Sequence, residues 1–156
     1  MTIATTLKEG FVVGMRSMPG NPYDGHTLAE TLEQVGILAE RTPKTVIVDR
    51  GYRGVDIDGV RILRSGQRRG ITRTLHRMIK RRSAIEPTIG HMKSDGRLGR
   101  NPLKGALGDA LHALLCGAGH NLRLLIRKLR LLCALVIRVL SASLDSAAGF
   151  AGIVAR

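Results

Sequence analysis

The chain predicts an α/β fold, a mixed sheet with flanking helices followed by C-terminal helices. Three observations lead there. Residues 3–7, 11–15 and 45–48 are short β-type runs, the last of them the β-branched Thr45-Val46-Ile47-Val48. Between the second and third runs, Leu28, Leu32, Val35 and Leu38 recur at helical spacing. Beyond residue 105, Leu107, Leu111, Leu114 and Leu115, then residues 122–126 and 129–140, read as one or two long helices.

Taken in order, Lys8-Glu9-Gly10 separates the first two runs and predicts a hairpin turn. The turn formers of residues 19–25, with two prolines, forbid continuation of a central strand. Thr27 with Glu30 three residues on predicts a capping box opening a helix that ends near Glu40. Thr42-Pro43 breaks the chain, and residues 45–48 predict a buried strand. A helix followed by such a strand is half of a βαβ unit. Sheets of that kind bind ligands at the carboxyl ends of their strands, where Asp49 would stand. A further strand is expected over residues 60–63.

Charge restricts the partners. The sequence has 25 Lys plus Arg against 12 Asp plus Glu, a net charge of +13. Residues 64–104 hold twelve basic residues against Glu86 and Asp95, a surplus of ten. A solvated helix face mixes signs, so one-signed density on this scale favours phosphate binding. With no Trp, two Tyr and two Phe, a binder of single strands built on stacking is disfavoured. Cys116 and Cys133 lack ligand spacing and read as reduced core residues, and no signal peptide is apparent, which predicts the cytoplasm. The apolar run 131–137 is too short to span a bilayer.

Within the basic block, Arg82, Glu86 and Lys93 share a helical stripe. On spacing alone a lone acid there is a salt-bridge partner. Pro87 would clash with the carbonyl of Ser83 in mid-helix, so a kink or fresh start is expected between Ser83 and Pro87, with Glu86 in a first turn and Ser83 as a cap. His76, His91, His112 and His120 show no ligand spacing and read as ordinary histidines.

Asp49-Arg50-Gly51-Tyr52, together with Arg82, Glu86 four residues on and Lys93 seven further, resembles the DDE transposases of bacterial insertion sequences. The subgroup it is similar to has an Asp-x-Gly-Tyr motif and a Tyr-x2-Arg-x3-Glu-x6-Lys signature, although the opening Tyr is Ile79 here. Residues 21–28 and 101–105 also look like blocks of that family. The likeness covers roughly residues 1–130 and leaves 131–156 as a helical extension with a weakly ordered tail.

The resemblance implies a ribonuclease-H-like fold in which three carboxylates hold two Mg²⁺ or Mn²⁺ ions for phosphodiester cleavage and strand transfer at transposon ends. Asp49 would match the second acid and Glu86 the third. Arg82 and Lys93 would match positions holding double-stranded DNA beside the metals, with Arg77, Lys80 and Arg81 as further phosphate contacts. The first catalytic Asp of the family falls upstream of residue 1, and neither Asp24, Asp56 nor Asp58 replaces it. The chain therefore reads as the C-terminal part of a transposase, a partial ribonuclease-H-like fold, inactive alone. Its partners would be the missing N-terminal part or full-length transposase, in a homo-oligomer and with no membrane. The rival reading is a non-catalytic basic fragment that binds DNA or docks on transposase.

Overall fold

The structure is a computed structural model describing every residue except Pro19, Asn21, Ala155 and Arg156, and leaving undescribed the side chains of Asp24 and residues 144–154. Its elements are β1 (Thr2–Thr5), β2 (Val12–Arg16), α1 (Asp24–Ala39), β3 (Thr45–Val48), β4 (Arg61–Arg64), α2 (Arg73–Arg81), a 3-10 turn (Arg82–Ala84), α3 (Ile85–Ser94) and α4 (Gly105–Val154). They form two compact units, Met1–Asn121 and Leu122–Arg156.

In the first unit β1 and β2 make the expected antiparallel hairpin, with Ile3 opposite Met15. Its turn closes because Gly10 adopts φ 75° and its N–H donates to the Thr6 carbonyl at 3.1 Å. The strands β3 and β4 pair in parallel, Val46 opposite Ile62. The mixed α/β character is as expected, but the strands form two separate two-stranded sheets rather than one mixed sheet. The physical difference is a cleft between β1 and β3 where a continuous sheet would carry a ladder.

Burial follows from the alternation. Leu28 and Leu32 on α1 pack against Val48 and Val60, forming one core. Met15, Met92, Leu98, Ala113 and Cys116 form a second, between the hairpin, α3 and the first turns of α4. There α4 comes close to β2: a Cβ on Gly117 would lie 3.1 Å from Val12 Cγ1 and 3.2 Å from Met15 Sδ. Glycine at 117 permits that approach.

Several local expectations are corrected. The helix α1 begins at Asp24, and its N-cap, Tyr23, makes no side-chain cap bond. Thr27 is instead buried inside the helix, where its carbonyl accepts the Thr31 hydroxyl at 2.7 Å. Ser83 caps nothing: its hydroxyl donates to the Lys80 carbonyl at 2.7 Å, and Ala84 precedes α3. Cys133 is exposed rather than in a core, while Cys116 is buried as expected. The C-terminal helices are one helix reaching Val154, with Ala155 and Arg156 outside the described residues. Among the described residues no helix is long and apolar enough to cross a membrane.

The outer edge of β2 is closed by amide side chains. Asn121 accepts from the Val12 N–H and donates to the Val12 carbonyl, both at 2.8 Å. Gln34 likewise accepts from the Met15 N–H at 2.8 Å and donates to its carbonyl at 3.3 Å. Replacing Asn121→Ala leaves two partly buried backbone groups of Val12 without these partners and should destabilise the chain by about 1–2 kcal/mol. Urea denaturation checks this, and an unchanged midpoint would show that water satisfies both groups.

Candidate functional site at the end of β3

The strand β3 is half-buried rather than buried as the sequence predicts, since it is paired on one side only; Val48 alone is buried, and Asp49 is the first residue beyond its carboxyl end. A tight turn follows, in which the Tyr52 N–H donates to the Asp49 carbonyl at 3.3 Å and the Arg50 N–H to Asp49 Oδ1 at 2.8 Å. The turn is pinned from two sides. The Tyr23 hydroxyl donates to the Gly51 carbonyl at 2.6 Å, and Arg64 Nε donates to the Tyr52 carbonyl at 3.2 Å. Tyr52 itself packs against the core under α1.

The basic arm arrives from the other side. Thr72 caps α2 by accepting from the Leu75 N–H, and no residue of that helix is fully buried. Near Pro87 the chain tightens into the 3-10 turn and restarts as α3, with Glu86 in the first turn as the sequence predicts. Proline is tolerated there because the first N–H groups of a helix have no internal partner. The backbone stays right-handed through the break, since Arg81, Arg82, Ala84 and Ile85 all have αR angles. Arg82 and Glu86 are separated by that 3-10 turn, and of the two only Arg82 lines the cleft described next.

Arg82 reaches Asp49: their Nη2 and Oδ2 lie 3.4 Å apart, with the arginine side chain 22% exposed and the carboxylate 56% exposed. Asp49, Arg82, Ile85 and Thr88 line one cleft. Glu86 follows Ile85 but is exposed and outside the cleft wall, and it makes no hydrogen bond or ion pair among the described residues. The structure thus brings Asp49 to Arg82, while Glu86 lies four residues further along the chain, in the first turn of α3.

The remaining predicted contacts divide in two. Arg81 donates from Nε to the Leu7 carbonyl and from Nη2 to the Lys8 carbonyl, both at 2.8 Å, so it grips the hairpin. Arg77, Lys80 and Lys93 are exposed, and their side chains make no such bond among the described residues. The histidines hold local structure: His120 lies 3.1 Å from the Gly10 carbonyl, His112 3.2 Å from the Arg97 carbonyl, and His91 pairs with Asp95. The roles of Tyr23, Gln34, Asn121 and Arg81 were missed because single side chains bonding to distant backbone leave no periodic signal.

As a metal site the arrangement has the right donors in too small a number. Carboxylate oxygens suit hard divalent ions. Both Asp49 oxygens already have partners, however, and the described residues contain no group of three His, Cys, Asp or Glu side chains placed to hold an ion.

A family model described as a transposase DDE domain matches residues 1–122. No curated protein matches the chain, and no solved structure does.

The two neighbouring arginines should separate in a stability measurement. Arg81→Ala removes two charge-assisted bonds to carbonyls and should cost about 1–2 kcal/mol. Arg82→Ala removes an ion pair whose acid is mostly exposed and should cost less than about 1 kcal/mol. Equal losses in urea denaturation would contradict these assignments.

Proposed function

The chain belongs to the transposase DDE family, and from that premise we propose that it contributes two of the acidic groups and the phosphate-binding arm of an insertion-sequence transposase. Members of this family act on DNA in transposition and generally use divalent metal ions. The observation that carries the reading is the meeting of Asp49, at a strand end, with the Arg82 side of the turn leading to Glu86.

In this proposal Asp49 and Glu86 supply oxygens to Mg²⁺ or Mn²⁺. When bound, those ions activate the attacking hydroxyl and steady the leaving oxygen. Arg82 holds Asp49 in place and keeps its charge balanced while no ion is present. Lys93, Arg77 and Lys80 bind phosphates of the transposon ends, and Arg82 and Arg81 border them. The catalytic portion spans residues 1–130 within a ribonuclease-H-like domain, 131–156 extend it, and the protein works in the cytoplasm as a homo-oligomer. Two carboxylates undersupport a pair of ions, so residues 1–156 alone would not cut DNA. The incomplete acidic set equally favours a second reading, in which the fragment binds DNA or docks on a full-length transposase without turnover.

Mn²⁺ titration of the purified chain, followed by calorimetry, should show weak binding that falls about tenfold or more in both Asp49→Asn and Glu86→Gln. Unchanged binding in either variant would remove that residue from the metal set. Strand cutting of a transposon-end duplex by the chain alone would overturn the claim of inactivity.

Duplex binding tests the arm separately. Neutralising Arg77, Lys80 or Lys93 with Gln should each lower the slope of log affinity against log salt by about 1. Slopes indistinguishable from the parent chain would place the DNA elsewhere.

A further inference from the structure

Beyond Asn121 the helix α4 carries a surface that neither the acidic pair nor the basic arm uses. Every residue from Leu125 to Ser143 is exposed. Eleven large apolar side chains between Leu122 and Leu140 are each 42–67% exposed. Apolar residues scattered singly over a surface need no explanation, but a contiguous bare patch of this kind marks an interface.

The pattern around the helix says what it meets. With about 100° between successive residues, Arg123, Arg127, Arg130, Ala134, Arg138 and Ser141 fall on one stripe about 80° wide. Apart from Lys128 and Cys133, the other residues of 122–140 are all Leu, Ile or Val, and they fill the rest of the circumference. Residues 110–144 contain five basic residues and no Asp or Glu.

Three occupants can be compared on that pattern. A single partner helix covers a stripe about 100° wide, less than half of this apolar arc, and a second copy brings the same arginines with no acid to answer them. A DNA backbone would take the arginines and leave the leucines in water. An anionic lipid surface answers both features, since acyl chains cover a wide arc while headgroup phosphates meet the basic stripe. The absence of a membrane partner expected from the sequence rests on the shortness of the apolar run 131–137. A helix lying in the surface plane needs no spanning run.

We propose that residues 122–140 lie in the surface plane of a bilayer containing anionic lipid. The leucines enter the acyl chains, and Arg123, Arg127, Arg130 and Arg138 sit at the level of the headgroup phosphates. Lys128, within the apolar arc, reaches the same level along its flexible stem.

Flotation of the full 156-residue chain on a sucrose gradient tests this, because lipid-bound chain rises while self-associated chain sinks. The probes are vesicles of phosphatidylcholine alone and of phosphatidylcholine mixed with phosphatidylglycerol. The mixed vesicles should carry the chain upward at lipid concentrations about tenfold or more below those the neutral vesicles need. Leu125→Gln with Leu132→Gln, at the centre of the apolar arc, keeps every charge and should weaken flotation by about tenfold or more. Arg127→Gln with Arg130→Gln keeps every leucine and should reduce the advantage of the mixed vesicles by about tenfold. Glutamine suits a helix, so the circular dichroism spectrum should not change. Should the leucine pair alter it, Leu129→Gln with Val136→Gln on the same arc repeats the test. No flotation with the mixed vesicles, or flotation that these substitutions leave unchanged, would overturn the proposal. So would a lipid-free oligomer in sedimentation equilibrium that the leucine pair dissolves and that does not float. Metal and DNA enter none of these readouts, so the transposase reading is tested separately.

Discussion

The contact between Arg82 and Asp49 is the joint on which the local arrangement turns. It links the end of β3 to a helical arm that is otherwise held by Arg81 on the hairpin and by Met92 in the core, since no residue of α2 is fully buried. Its worth is not mainly energetic. At high effective dielectric two unit charges about 4 Å apart attract by only about 1 kcal/mol, and the entropy of fixing a long side chain opposes that. What the pair supplies is direction. Asp49 is one of few acids near a block with a surplus of ten positive charges, and a guanidinium on its outer oxygen fixes where the carboxylate points. The same contact limits the site, since an ion approaching Asp49 must share or displace that guanidinium.

Much of this was legible in the chain, for physical reasons that differ by element. The hairpin and β3 announce themselves because β-branched runs between turn formers have few alternatives. The restart at Ile85 was readable because Pro87 cannot sit in a helix interior, and its consequence, Glu86 in a first turn, follows. The start of α1 was not readable. A Thr and a Glu three residues apart mimic a capping box, but Thr27 is buried four positions after Tyr23, whose hydroxyl ties the start of the helix to Gly51. Tertiary anchoring displaced a local signal. The separation of the sheets was also hidden, because hydrophobic alternation says that a strand has a buried face and nothing about who occupies its edges. The site itself was legible only as a pair of acids in a motif. Their link through Arg82 was not, since three charged residues on a stripe are compatible with many partners.

Edges carry a second lesson. Two amides, Gln34 and Asn121, each satisfy both the donor and the acceptor of one residue on β2. That is an economical way to close a strand without adding another. It works only where a neighbouring helix presents an amide at the right height, as α1 and α4 do. Past the end of β1, in the hairpin turn, Arg81 holds the Leu7 and Lys8 carbonyls, and a guanidinium can satisfy acceptors but no N–H. The two edges of the hairpin are thus unlike in kind: one is finished by side chains, the other is left with donors directed at open space.

The same distinction corrects a habit of reading basic stretches as uniform phosphate binders. Counting charge treats Arg77, Lys80, Arg81, Arg82 and Lys93 as equivalent. The structure separates them by what the guanidinium or ammonium already touches. Arg81 is committed to two carbonyls and Arg82 to a carboxylate, and both tasks need a planar fork of several donors. The lysines and Arg77 remain exposed, and a solvated ammonium on a flexible stem is suited to following a phosphate backbone rather than fixing a fold. Arginines at the junction of helix and strand therefore build the site, while the charges farther along α2 and α3 are the ones left for an anionic partner.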